Sequence, residues 1–197
     1  TYCGTIYKFE GKIQTCVAPV FAAISQLEKE KKIETQNIEI RYAGTTEDLF
    51  LETADQYQMQ KIVRSLGKIS RDQSLKLQSA SDIIVVAIWN NVNDGGVLTG
   101  KFFESLLVER NVLCIVKGNE KNSELTQIVR SLNCGFAYEE INGVSEEFEQ
   151  LKLWIYKMYK QKFEQGKVQY NIRGDNNLFS HAVLAREYEA LFEMSKD

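Results

Sequence analysis

Histidine is almost missing from this chain of 197 residues; His181 is the only one, which all but excludes a zinc site or a histidine-based triad. The four cysteines (Cys3, Cys16, Cys114 and Cys134) have no metal-ligand spacing. Three of them lie in or beside apolar runs, where a reduced thiol acts as a small hydrophobe. There is no signal peptide, no Asn-x-Ser/Thr sequon and no apolar run long enough to cross a bilayer. A reducing, cytoplasmic location is the expectation. A basic stripe is missing too: 24 Lys and Arg are scattered among 27 Asp and Glu, for a net charge of −3. A domain that reads nucleic acid through its phosphates needs such a stripe, so polynucleotide is a poor ligand.

What remains is an ordinary globular composition, 44% hydrophobic and 26% charged, over a length that suits one α/β core. The chain opens without Met on Thr1-Tyr2-Cys3-Gly4-Thr5-Ile6-Tyr7, which reads as a core strand. A fragment of a longer protein is therefore expected. Further strands are read at 38–42 before Gly44, 62–66 before Gly67, 83–88, 112–116 before Gly118, and 134–138. The runs 83–88 and 112–116 are continuously apolar, as strands covered on both faces are. Between them, apolar residues recur at helical spacing: Val20, Ile24 and Leu27; Phe102, Leu106 and Leu107; Leu125, Ile128, Val129 and Leu132; Phe148, Leu151, Ile155 and Met158; Val183, Leu184, Tyr188 and Leu191. All are assigned to the core. The alternation predicts a Rossmann-like, doubly wound parallel sheet forming a single domain over 1–197, with 179–197 as a terminal helix.

In such a sheet ligands bind at the carboxyl ends of the strands. The segment 90–104 follows a buried strand, is rich in small and polar residues, and runs into a helix. Thr99 stands where an N-cap belongs. The amides of Gly100, Lys101 and Phe102 would then be helix-start donors suited to a pyrophosphate, with the Lys101 charge beside them. Glu104, one turn on, suits two vicinal hydroxyls such as those of a ribose. The plain alternative is a capped helix carrying a solvated Lys101–Glu104 pair worth ~0.2–0.5 kcal/mol. Asp94 reads as a turn residue, Trp89, placed on the same loop, as closing the core edge rather than stacking on a sugar, and His181 as a residue at a helix start.

The run Gly96-Val97-Leu98-Thr99-Gly100-Lys101-Phe102-Phe103-Glu104-Ser105-Leu106, followed by Arg110-Asn111-Val112, resembles a segment of retaining GT-B glycosyltransferases. There a Thr-Gly-Lys-hydrophobe-Phe-Glu helix precedes a strand. Three other stretches resemble that family in the same order: Tyr2-Cys3-Gly4-Thr5-Ile6-Tyr7, Gly67-Lys68-Ile69-Ser70-Arg71-Asp72, and Leu77-Gln78-Ser79-Ala80-Ser81-Asp82-Ile83. With Phe179-Ser180 as the start of a terminal helix, the resemblance is to the C-terminal, donor-binding half of the enzyme.

The resemblance implies roles. Glu104 would hold the donor ribose, and Leu98, Thr99, Gly100 and Lys101 would face the diphosphate or donor sugar. Lys68 and Ile69 would meet the base through main chain, and Gly4 and Thr5 would let the phosphates approach. No catalytic group is assigned to this half and no metal or cofactor is expected, in keeping with the absence of an Asp-x-Asp pair. Partners would be a nucleotide-sugar, an N-terminal acceptor domain beyond this chain, and a glycan or lipid-linked acceptor, with no nucleic acid and no membrane insertion. The setting implied is bacterial polysaccharide biosynthesis at the inner face of the inner membrane. Gly96 stands where many relatives carry a second glutamate, and Lys8 and Lys12 are out of register with the family's basic pair. A GT-B-type nucleotide-sugar epimerase and a non-catalytic nucleotide-binding module therefore stay open as alternatives.

Overall fold

Eight short strands and six helices follow one another in a computed structural model that describes residues 1–9, 12–13, 17–92, 98–141 and 145–173. In chain order these are β1 (Tyr2–Cys3), β2 (Lys8–Phe9), β3 (Lys12–Ile13), α1 (Ala18–Lys29), β4 (Ile40–Ala43), α2 (Glu47–Gln56) and β5 (Val63–Ser65). Then come α3 (Arg71–Ser79), β6 (Ile83–Asn90), α4 (Gly100–Leu107), β7 (Asn111–Gly118), α5 (Glu124–Leu132), β8 (Gly135–Glu140) and α6 (Ser145–Gln165). The terminal helix expected over 179–197, and with it His181, falls outside the described residues, as do Asp94 and Gly96.

Six strands form one all-parallel sheet in the order β5-β4-β1-β6-β7-β8, and β2 pairs with β3 in a separate antiparallel ribbon. Chain order runs outward from β1 in both directions, so the topological reversal falls between β1 and β6. The continuous apolar runs became the longest pairing, with β6 in register against β7 from Ile83↔Asn111 to Asn90↔Gly118. Side-chain alternation then splits the core in two. Ile84, Val86 and Ile88 join Val112, Cys114 and Val116 under Phe102 and Leu106 of α4 and Leu125, Val129 and Leu132 of α5. Tyr2, Tyr42, Val85, Leu113 and Ile115 face α1, α2 and α6, through Phe21, Ile24, Leu27, Phe50, Leu151 and Ile155 among others. A side chain such as Phe102, with no exposed surface, contributes about 1.5–3 kcal/mol by leaving water.

The expectations needed three corrections. The opening strand keeps only Tyr2–Cys3, because Gly4 turns the backbone with φ +148° and ends the pairing. Leu107 is 72% exposed, since it lies one residue past Leu106 and so about 100° round the helix from the buried stripe. Trp89 belongs to β6 rather than to the loop, half-buried, with its ring set edge-on to Tyr7 at 5.8 Å. Helices α2 and α3 escape the apolar pattern: α3 buries only Gln78, and its local signal is the capping box of Ser70 and Gln73.

Candidate functional site

Three adjacent strands, β5, β4 and β1, are each followed by a glycine at the carboxyl edge of the sheet. Gly4 follows β1, Gly44 follows β4 and Gly67 follows the β5 segment, and their backbones interlock: Gly4 N donates to Ala43 O (2.8 Å) and Gly44 N to Gly67 O (2.9 Å). Tyr42 ties the knot from beneath. Its phenol donates to Gly4 O at 2.9 Å and accepts from Thr46 N at 3.1 Å. That leaves Thr46 Oγ1 to donate to the phenol (2.8 Å) while accepting from Ile6 N (2.8 Å). The Tyr42 and Thr46 hydroxyls are thus both bonded within the knot, which holds the turn after β1 in place. A side chain on Gly44 would collide with the Gly4 carbonyl oxygen and the Tyr42 hydroxyl.

Across the reversal point, α4 lays Lys101 on this turn. A side chain on Gly4 would collide with Lys101 Nζ, so the glycine is what lets the amine settle over the end of β1. Lys101 is half-buried, and burial pushes its ammonium below the ordinary lysine range, against the opposing pull of Cys3 and Glu104. Glu104 does not pair with Lys101 as a solvated surface couple. Its carboxylate is gripped instead from α3: Gln78 Nε2 donates to Oε2 at 3.1 Å, and Arg71 Nε lies 3.5 Å from Oε1. An exposed Arg71 makes that ion pair worth little. The buried Gln78 contact is the firmer one.

The helix starts at this edge differ. At α3, Ser70 and Gln73 complete a capping box; at α5, Ser123 caps Thr126 N while the buried Glu139 carboxylate accepts from Asn122 N and Ser123 N. At α4, Thr99 occupies the N-cap as expected but makes no side-chain cap bond, and its Oγ1 is buried with no hydrogen-bond partner among the described residues. The positive end of α4 is thus left without a cap side chain beside the Lys101 amine. A side chain at Gly100 would meet nothing within 4 Å among the described residues.

The remaining expected residues divide. Thr5 sits in the turn after β1, its hydroxyl 3.3 Å from that of Thr45. Lys68 is exposed and Ile69 half-buried, in the short link from β5 to α3 and therefore within one turn of Arg71. Leu98 packs its side chain against the core beneath α4, which leaves its main chain as the part available to a ligand. Lys8 is exposed. Gln78, Tyr42 and Thr46 were not foreseen. Only the pairing of a tyrosine before Gly44 with a hydroxyl residue after it signals the knot, and nothing in the sequence marks Gln78 as facing Glu104. Cys3, Cys114 and Cys134 are buried and behave as small hydrophobes, with burial raising the Cys3 thiol and raising that of Cys134 to about 11; Cys16 lies outside the described residues.

A second hollow lies at the opposite, amino end of the sheet. It is a cavity of about 350 Å³ lined by Val20, Ile24, Ile83, Leu113 and Ile155 among others, with Lys162–Asp82 (2.9 Å) and Arg41–Glu39 (2.7 Å) paired at its margin.

No protein-family model matches the chain, and no curated protein matches it. Solved structures do. The chain superimposes on HepE from Anabaena, a structure in complex with UDP, with TM-score 0.62 at 13% identity, covering 98% of this chain and 48% of that one. A glycosyltransferase from Rickettsia africae gives TM-score 0.59 at 13% identity, over 98% of this chain and 47% of that one. WaaG, a glycosyltransferase involved in lipopolysaccharide biosynthesis, gives TM-score 0.54 at 16% identity, over 82% of this chain and 38% of that one. The chain therefore spans under half the length of these proteins. Over that span it has the α/β Rossmann-like fold of GT-B glycosyltransferases.

Proposed function

We propose that the chain is the donor-binding part of a glycosyltransferase, holding a nucleoside-diphosphate sugar over the carboxyl ends of β1 and β6. One observation carries the reading: the Lys101 amine rests on the Gly4 turn, at the reversal point of the sheet, with Glu104 one helical turn away. A diphosphate laid there meets a full positive charge and the uncapped start of α4. The ribose then reaches Glu104, and the base meets the main chain of Lys68 and Ile69. During transfer, negative charge grows on the departing diphosphate. Lys101 and the α4 amides are already oriented toward that charge, so little reorganisation accompanies the step.

The sugar passes, with retained anomeric configuration and without an obligatory metal, to a glycan or lipid-linked acceptor held by a second domain. The setting is polysaccharide biosynthesis at the inner face of a bacterial inner membrane. The GT-B-type neighbours support a nucleotide-sugar enzyme of this kind. Among the described residues, no helix is long and apolar enough to cross a membrane.

Calorimetric titration with UDP and GDP, each against its mononucleotide, tests the reading. Saturable binding of one diphosphate, much weakened when the β-phosphate is removed, is the expected result. Absence of binding for both at millimolar concentration would defeat it. Binding by the full-length protein without any sugar transfer would identify a non-catalytic module.

A further inference from the structure

Gln78 is the one buried residue of α3, 1% exposed, and it is polar. Its Nε2 lies 3.1 Å from Glu104 Oε2 and 3.2 Å from Ser74 Oγ, while its Oε1 is buried without a hydrogen-bond partner among the described residues. The amide must present nitrogen to the carboxylate, because two oxygens at that distance repel. A leucine or methionine would fill the same space without orphaning an acceptor. Packing alone therefore does not account for a glutamine here, and the contact with Glu104 does.

We infer that Gln78 is a positioning residue that orients the Glu104 carboxylate toward a vicinal diol, and so sets a preference for ribonucleotides over 2′-deoxyribonucleotides. The inference rests on the reading of Glu104 as the ribose-binding group. A carboxylate offers about four acceptor directions. Gln78 occupies one on Oε2 from inside the protein, and Arg71 lies against Oε1 from the solvent side, with its side chain 72% exposed. One direction on each oxygen remains, which matches two neighbouring hydroxyls. Without Gln78 the carboxylate turns about its last bond and the paired geometry is lost. Glu104 keeps its charge but not its orientation.

The test titrates the unchanged chain, Gln78→Met, Glu104→Ala and the double variant with UDP or GDP, whichever binds, and with the 2′-deoxy form of the same nucleotide. The unchanged chain should prefer the ribonucleotide by roughly tenfold. Gln78→Met should lose most of that preference, weakening the ribonucleotide by about 3- to 10-fold and the deoxy form little. The double variant should bind as Glu104→Ala does, the signature of two groups acting as one. A Gln78→Met protein that keeps the full preference, or additive losses in the double variant, would overturn the inference while leaving the donor site intact. Failure of the unchanged chain to bind either nucleotide overturns the donor-site reading itself, and the inference with it. If Gln78→Met does not fold, the unchanged chain still decides by NMR. The Gln78 side-chain amide resonance should shift more with the ribonucleotide than with its deoxy form, and equal shifts would count against the inference.

Discussion

The two ends of the sheet have opposite chemistry although the same strands build both. At the amino ends, a cavity of about 350 Å³ is walled by Val20, Ile24, Leu113 and Ile155, and the charges at its margin are paired with each other. At the carboxyl ends, a half-buried lysine rests on a glycine turn, a threonine hydroxyl is buried without a partner among the described residues, and a helix starts without a side-chain cap. At the amino ends the hollow lies where the chemistry is already satisfied. What marks a site for a charged ligand is the mismatch at the other end, where desolvated polar groups gain most from a partner.

Substitutions can break this contrast, and their effects on nucleotide affinity should fall in a definite order. Gly44→Ala forces a side chain into the Gly4 carbonyl and the Tyr42 hydroxyl, so the turn under Lys101 must move. Affinity should drop by roughly hundredfold or more, as an ångström of misplacement can cost, with a lower Tm on thermal melting. Lys101→Met should cost about ten- to hundredfold in calorimetric affinity by removing the charge beside the diphosphate.

The same lysine sharpens the contrast through pH. Burial lowers its pKa, so its proton is lost sooner on a rising pH than that of an ordinary lysine. Binding should be strong below that pKa and fade above it, earlier than an exposed lysine would allow, and Lys101→Met should abolish the alkaline limb. Titration across the alkaline range reads this directly, and an unchanged limb in the variant would assign it elsewhere.

Glu104→Ala should follow at about 1.5–3 kcal/mol, roughly tenfold in affinity, without unfolding the domain. Tyr42→Phe breaks one member of the knot beneath Gly4 and should cost a few-fold in affinity and about 0.5–1.5 kcal/mol in stability. Leu113→Ala, at the amino-end cavity, should leave affinity unchanged while destabilising the fold by about 2–5 kcal/mol in denaturant titration. Loss of affinity from Leu113→Ala in a protein that remains folded would erase the distinction between the two ends.

How legible the molecule was depends on which force shapes each part. Ile83–Ile88 and Val112–Val116 announced themselves because burial on both faces demands unbroken apolar residues, and β6 and β7 lie there. The opposite half of the sheet is held by turns and hydroxyls rather than by long strands. Its opening strand was overread by five residues and α2 went unseen, since Glu47 and Asp48 at its start leave little apolar rhythm. The site was half legible. Thr99-Gly100-Lys101 and Glu104 stand on one helix, so spacing alone placed them together. Gln78 reaches Glu104 from another helix, and Tyr42 reaches Gly4 from another strand. Such contacts depend on sheet order, which no local pattern encodes.

The proposed donor site occupies one end of the sheet, so the most direct measurement is a residue-resolved map of where the nucleotide acts. Amide NMR of the chain, recorded with increasing UDP or GDP, should move the resonances of Gly4, Gly44, Lys101 and Glu104 and leave those of Ile38, Ile83 and Val168 in place. Shifts gathered instead around Ile38, Ile83 and Val168 would put the ligand in the amino-end cavity and contradict the account.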